Sequence, residues 1–335
     1  MLFVMRHVKR YHQLFENQQD LTQEQRDWLD ECTSGTWKVN PQTGLVDVDR
    51  GFDCTNQNLT DFKGVRFGEV GGDFYCFDNA LTSLEGAPQS VGGYFDCSVN
   101  AIKSLEGAPK MVGEDFLCHD NQLTSLEGAP QEVGGYFSCR SNELTSLKGA
   151  SQKVGWNFDC SHNEITSLEG APQEVGGAFT CSYNSLTSLE GGPRSVGGYY
   201  NCSHNSLKSL EGAPQGLNAS FNCSHNSLKS LEGGPREVGG GYYNCSSNSL
   251  TSLEGAPQKV YGYFNCSNNT ISEEAINGVL RRMSDKKIPL EQAVAGYWRN
   301  VYQEDRIYLA KHNPNFSPEE KREYAALERL KRRVI

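Results

Sequence analysis

The chain has no long hydrophobic run. Nothing in its 335 residues approaches the roughly 18 consecutive apolar residues of a membrane-spanning helix. Apolar residues make up only 37%, with four Met and four Trp, below the usual share for a globular domain. Positive charge is also short. The net charge is −10, and residues 51–271 carry 12 basic against 23 acidic side chains. An acidic body argues against a nucleic-acid backbone as the main partner and suits a basic protein patch. No phosphate-binding glycine loop follows a strand, and no Ser/His/Asp set stands outside the repeated text, so no enzyme and no cofactor are expected. The first residues, MLFVMRHVKR, place basic residues after a short apolar run. A secretory leader has the reverse order, so the cytoplasm is the expected location.

So few apolar residues would fit disorder, except that Phe, Tyr, Leu and Cys return at fixed places. Eleven of the twelve Cys form one ladder: Cys54, Cys76, Cys97, Cys118, Cys139, Cys160, Cys181, Cys202, Cys223, Cys245 and Cys266. The step is 21 residues, or 22 where one is added, as by Gly241. Around each Cys the unit reads V-G-G-x-F-x-C-S-x-N-x-L-T-S-L-E-G-A-P. Regularity of this kind identifies a solenoid.

One unit cannot fold alone. It offers about five apolar groups, such as Phe179, Cys181, Leu186, Leu189 and Val196, worth roughly 1.5–3 kcal/mol each when large. Ordering its backbone costs roughly 1–2 kcal/mol per residue. Neighbouring units must therefore share faces and hydrogen-bond as rungs. Phe179-Thr180-Cys181 alternates as a strand, with Phe and Cys inward and Thr outward. Asn184 is expected to turn the chain and satisfy backbone groups in the turn and in the next rung. Pro193 and the pair Gly197-Gly198 bend the return path.

The text G-G-A-F-T-C-S-Y-N-S-L at 176–186 resembles the leucine-rich repeat family, with Phe179, Cys181, Asn184 and Leu186 on that family's key positions. The short unit is similar to the bacterial effector subclass. The wording LTSLEGAP with VGGxFxCSxN is also similar to repeat proteins encoded by bacteriophages. The resemblance covers residues 51–271 and implies an α/β solenoid of 11 repeats with a parallel β-sheet on its concave face. Departures are local: Gln57 replaces the turn Asn in the first unit, and Ser151 replaces Pro.

A solenoid needs caps over its apolar ends. Residues 1–50 are expected to supply an N-terminal helix and hairpin cap. Thr22-Gln23-Glu24-Gln25 fits a capping box, starting a helix over about 22–32, and TWKV (36–39) and LVDV (45–48) flank the turn NPQTG. Residues 272–335 are expected to form a C-terminal helical cap and basic tail. Helix starts lie at Ser272 and Ser317-Pro318-Glu319-Glu320, a further helix covers 290–302, and the last helix ends in Lys331-Arg332-Arg333.

Cys202 with His204, and Cys223 with His225, raise the question of a metal. A zinc site needs about four converging ligands, whereas the ladder Cys point inward and the His lie at the strand end. No metal is expected, and twelve unpaired Cys suit a reducing compartment. The outward columns beside the ladder are the better candidates. Tyr gives rigid amphipathic area, while Asn, Ser and His give adaptable hydrogen bonds. The expected partner-binding residues on the concave face are Tyr94, Tyr136, Arg140, His162, Tyr183, Tyr199, Asn201, His204, Asn222, His225, Tyr242, Asn244 and Tyr263, with Ser203 also facing a partner. The reading is a non-catalytic protein-binding scaffold in the cytoplasm. The phage resemblance implies a host protein, such as a defence factor, sequestered by occlusion. Two alternatives stay open: a structural virion or attachment component, and an effector with an activity in residues 272–335.

Overall fold

A computed structural model describes residues 21–272 and Ala275; the expected C-terminal helices lie outside the described residues. Each unit makes one turn of a solenoid, numbered here from turn one at Cys54 to turn eleven at Cys266. The Phe-containing strands stack in an eleven-stranded parallel sheet, from Phe52–Asp53 to Tyr263–Asn265. Register is strict, with Phe137 opposite Phe158 and Phe158 opposite Phe179. Any slip by one residue would turn the buried Phe outward.

Between the sheets lies a core of stacked columns. The aromatic column runs Phe52, Phe74, Phe95, Phe116, Phe137, Phe158, Phe179, Tyr200, Phe221, Tyr243 and Phe264, with ring centroids 5.1–5.7 Å apart. Cys181, Leu186 and Leu189 are fully buried beside it, as are their counterparts in nearly every turn. The ladder thiols act as small apolar groups, and several donate to the next rung, as Cys202 Sγ does to Asn222 O.

Asn holds the turns together. Asn184 Nδ2 donates to Cys181 O and Ser182 O in its own turn and to Cys160 O in the preceding one, while its Oδ1 accepts from Ile165 N. The expected bracing of turn and neighbouring rung is thus present, with the preceding rung as the neighbour. The residue before each Asn, such as Tyr183 (φ 55) or Val99 (φ 53), is left-handed in every turn. That conformation costs a non-Gly residue of order 1–3 kcal/mol and persists because the Asn on its C-terminal side is so fully tied.

The return path holds a second parallel sheet that the expected bends at Pro and Gly do not foretell. In it, two-residue strands such as Ser195–Val196 bury one apolar side chain, a Val in most turns and Leu217 in turn nine. It divides into a nine-stranded and a three-stranded piece between Ser195–Val196 and Gly216–Leu217. The break coincides with a loss of the Gly pair. A Cβ on Gly197 would strike Gly176 O of the preceding turn, so the close approach at that rung needs Gly. In turn nine Asn218-Ala219 replaces the pair, and the ladder parts there.

At the first turn, α1 (Gln23–Cys32) begins in the expected capping box of Thr22 with Gln25. β1 (Trp37–Val39) and β2 (Val46–Val48) form the expected hairpin. β2 continues into β4 (Phe67–Val70) of the return sheet rather than into β3 (Phe52–Asp53). Trp28 of α1 packs edge-on against Phe52 at 5.2 Å. Gln57 accepts from Trp28 Nε1 and donates to Cys32 Sγ. The departure from Asn at this position therefore docks α1.

Candidate functional site

Four side-chain columns of the Phe–Cys strands and the turn after them leave the core. Counting from each Cys, they stand three before, one before, one after and two after. The structure separates the residues that brace this surface from those whose side chains face outward.

Three before Cys, short polar residues brace the backbone. Asp73 Oδ1 accepts from Tyr94 N, Asp115 Oδ1 from Tyr136 N, and Asn157 Oδ1 from Ala178 N, a two-turn alternation. Gly135 follows Asp115 by one turn, and a Cβ there would strike Asp115 Oδ1. After the Tyr turns this constraint lifts, and Glu114 and Trp156 occupy the place of that Gly. Glu114 accepts the Tyr94 hydroxyl, which holds that phenol above its ordinary range. Trp156 is 62% exposed. It is a surface aromatic that the sequence reading passed over, although a Trp at a Gly position was the available signal.

One before Cys, Asp or Asn forms a local turn with the residue two further on. Asn201, Asn222 and Asn244 accept from Ser203 N, Ser224 N and Ser246 N. Their oxygens are engaged; the Asn222 amide nitrogen donates to the Tyr199 hydroxyl, and those of Asn201 and Asn244 are left to a partner. Ser203 corrects the expectation. It is 4% exposed, and its hydroxyl donates to Asn201 Oδ1, so it is part of the turn and not of the surface. Where this position is Tyr75, Leu117 or Ser138, the residue after Cys is Phe77, His119 or Arg140 instead of Ser. Tyr75 is pushed up to about 12, first by burial and then by Asp73, which accepts its hydroxyl. Tyr136 reaches about 12 through burial and then Asp159, which accepts its hydroxyl. Arg140 lies 3.9 Å from Asp120, which also binds His119 Nδ1 at 2.8 Å.

Two after Cys, the left-handed residues project rings. His162, Tyr183, His204 and His225 form one continuous stack, with centroids 4.4, 4.1 and 4.2 Å apart and planes within 10° of parallel. Burial, then the His225 and His162 rings, hold His204 below the ordinary imidazole range. On the other side of the amide column, Tyr199 and Tyr242 lean together at 5.9 Å across Ser220, and Tyr242 stacks on Tyr263 at 5.1 Å. Burial pushes the Tyr199 phenol up, with Tyr242 adding to it.

Turns seven to eleven thus form a strip with two rails of rings and a floor of Asn amides and buried Ser. No Asp, Glu, Lys or Arg occupies any of the four columns there. The structure gathers Tyr183, Tyr199, Asn201, His204, Asn222, His225, Tyr242, Asn244 and Tyr263 on this strip, with His162 at its edge. Tyr94, Tyr136 and Arg140 lie toward the first turns, Tyr94 five rungs or about 24 Å from Tyr199 at the usual strand spacing. The columns of turns one to six carry Asp53, Asp73, Asp78, Asp96, Asp115, Asp120 and Asp159 against the single Arg140.

Among the described residues, no three His, Cys, Asp or Glu converge as a metal site, and no helix is long and apolar enough to cross a membrane. The 21-residue step, the parallel ladders and the buried Leu columns make this a short-repeat, leucine-rich solenoid. No protein-family model and no curated protein matches the sequence. Among solved structures, YopM from Yersinia enterocolitica is similar at 19% identity and a TM-score of 0.48, over 72% of this chain and 58% of that one. A leucine-rich-repeat protein from Leptospira interrogans is similar at 11% identity and a TM-score of 0.31, over 70% of this chain and 94% of that one.

Proposed function

We propose that the chain is a non-catalytic scaffold that captures a protein partner on the outward, concave face of the eleven-stranded sheet. The observation that carries this reading is the uncharged strip of turns seven to eleven. Its core positions barely vary from turn to turn, whereas its outward positions present Tyr, His and Asn in two ring rails. Stacked rings and amides already held by hydrogen bonds lose little freedom on binding, which favours affinity. Solenoids bind through such extended surfaces.

The phage-like wording of the unit supports a host protein as the partner, held by occlusion in the cytoplasm. The test is affinity capture from the natural host with the intact chain and with Tyr199→Ala/Tyr242→Ala, followed by mass spectrometry. A protein retained by the first and lost by the second is expected. Recovery of the chain as a component of purified virus particles would favour an assembly role instead.

A further inference from the structure

The two ring rails end differently. In the Tyr rail, turn nine has Ser220 instead of a ring, but Tyr199 and Tyr242 lean together across it and close the gap. The His–Tyr rail stops at His225. The next residue of that column is Ser247, too short to reach ring level, and the one after is Asn268, whose amide donates to Ser247 Oγ. Among the described residues, a ring covers His225 on its His204 side alone, and His225 is exposed. Two rungs separate the His225 and Asn268 positions, about 9.6 Å at the usual spacing. One planar ring placed over Ser247 would continue the rail at its own pitch of 4.1–4.4 Å.

We propose that this place over Ser247 is the seat of an aromatic side chain of the partner, stacked on the outer face of His225 and edged by the Asn268 carboxamide. The proposal rests on the scaffold reading above and names what that partner must carry. A flat aromatic ring matches the parallel geometry, and offset stacking on an imidazole adds to the area buried. The surrounding columns hold no charged group, which disfavours a charged side chain in the same place.

The probe is N-acetyl-tryptophanamide added to the intact chain, with N-acetyl-leucinamide and N-acetyl-argininamide as comparisons, followed by the carbon-bound imidazole proton resonances. A saturable upfield ring-current shift at His225 with the tryptophan amide alone is expected, while His204 inside the stack moves little. Ser247→Tyr should abolish the shift, because the chain's own ring then fills the seat. Tyr183 already adopts the same left-handed backbone (φ 55, against 54 at Ser247), so this variant should fold. No shift at His225, an equal shift in Ser247→Tyr, or a shift with the arginine amide instead would overturn the proposal. Loss of partner capture on Tyr199→Ala/Tyr242→Ala without any probe shift would remove the seat and leave the scaffold standing.

Discussion

Gly234 and Tyr243 are fitted to each other: a Cβ on Gly234 would stand 3.0 Å from the Tyr243 hydroxyl oxygen. The same pairing recurs between Gly192 and Tyr200, at 3.4 Å. The units whose core ring is Phe95, Phe116, Phe137, Phe158, Phe179, Phe221 or Phe264 have Ala at that place. One methyl is exchanged for one hydroxyl inside a close-packed column. Gly234→Ala is expected to cost about 1–3 kcal/mol by overpacking. Gly234→Ala/Tyr243→Phe, the pair used elsewhere in the chain, should recover that loss. A double-mutant cycle by urea unfolding measures the coupling, and additive effects would contradict the fit.

Val99 is the costliest member of the left-handed column. Its β-branched side chain sits at φ 53 and is 45% exposed, so it gains little from packing. Val99→Gly is expected to stabilise the solenoid by about 1 kcal/mol, read as a higher urea midpoint with an unchanged slope. A lower midpoint would mean that Val99 makes contacts worth more than its backbone cost.

Asn184 makes four hydrogen bonds that tie its own turn to the preceding one. Asn184→Ala takes the acceptor from the Ile165 amide, a loss of about 1–3 kcal/mol if that group stays buried, whereas Cys160 O, Cys181 O and Ser182 O each lose one donor and keep another, from Asn163 Nδ2, Asn205 Nδ2 and His162 N. A net loss of about 2 kcal/mol in urea unfolding is expected. A loss under about 1 kcal/mol would show that the ladder is held by its apolar columns alone.

Burial holds every thiol of the ladder above its ordinary value, as at Cys76, Cys139 and Cys202. The sign of the linkage follows. Thiols raised in the folded state contribute their full stability below the ordinary thiol range, near 8.5, and lose it as pH climbs beyond, at about 1.4 kcal/mol per thiol per pH unit. The unfolding midpoint should be flat from pH 7 to 8 and fall steeply above about 9. Cys266, only partly buried and raised to about 11, should be alkylated before the others. A midpoint unchanged at pH 10.5 would contradict the burial of the ladder.

Much of this was legible in the sequence because a 21-residue period repeats each inference eleven times. The inward Phe and Cys, the bracing Asn and the strand carrying them followed from alternation and spacing. The capping box at Thr22 and the hairpin followed from local signals. What was not legible depends on contacts between turns. A two-residue return strand is marked by one Val, too little for a periodic signal. The left-handed column holds Val99 and Tyr183, residue types that seldom adopt that backbone. Ser203 looked outward by alternation, but the strand ends at Asn201 and the turn carries it inward. Gln57 looked like decay of the pattern, and its role emerged only once Trp28, 29 residues away, was placed beside it. The candidate residues were chosen column by column; the continuity of the His162–Tyr183–His204–His225 stack needed the ring planes.

The central claim is that the uncharged strip of turns seven to eleven holds a partner. The most direct measurement is quantitative capture from the natural host by three forms of the intact chain: unaltered, Tyr199→Ala/Tyr242→Ala on the strip, and Glu174→Ala on the return sheet. Circular dichroism confirms that each is folded. The account predicts that at least one host protein is retained by the unaltered chain and by Glu174→Ala, and is reduced at least tenfold by the double variant. Capture of the same proteins in the same amounts by all three folded forms would contradict it.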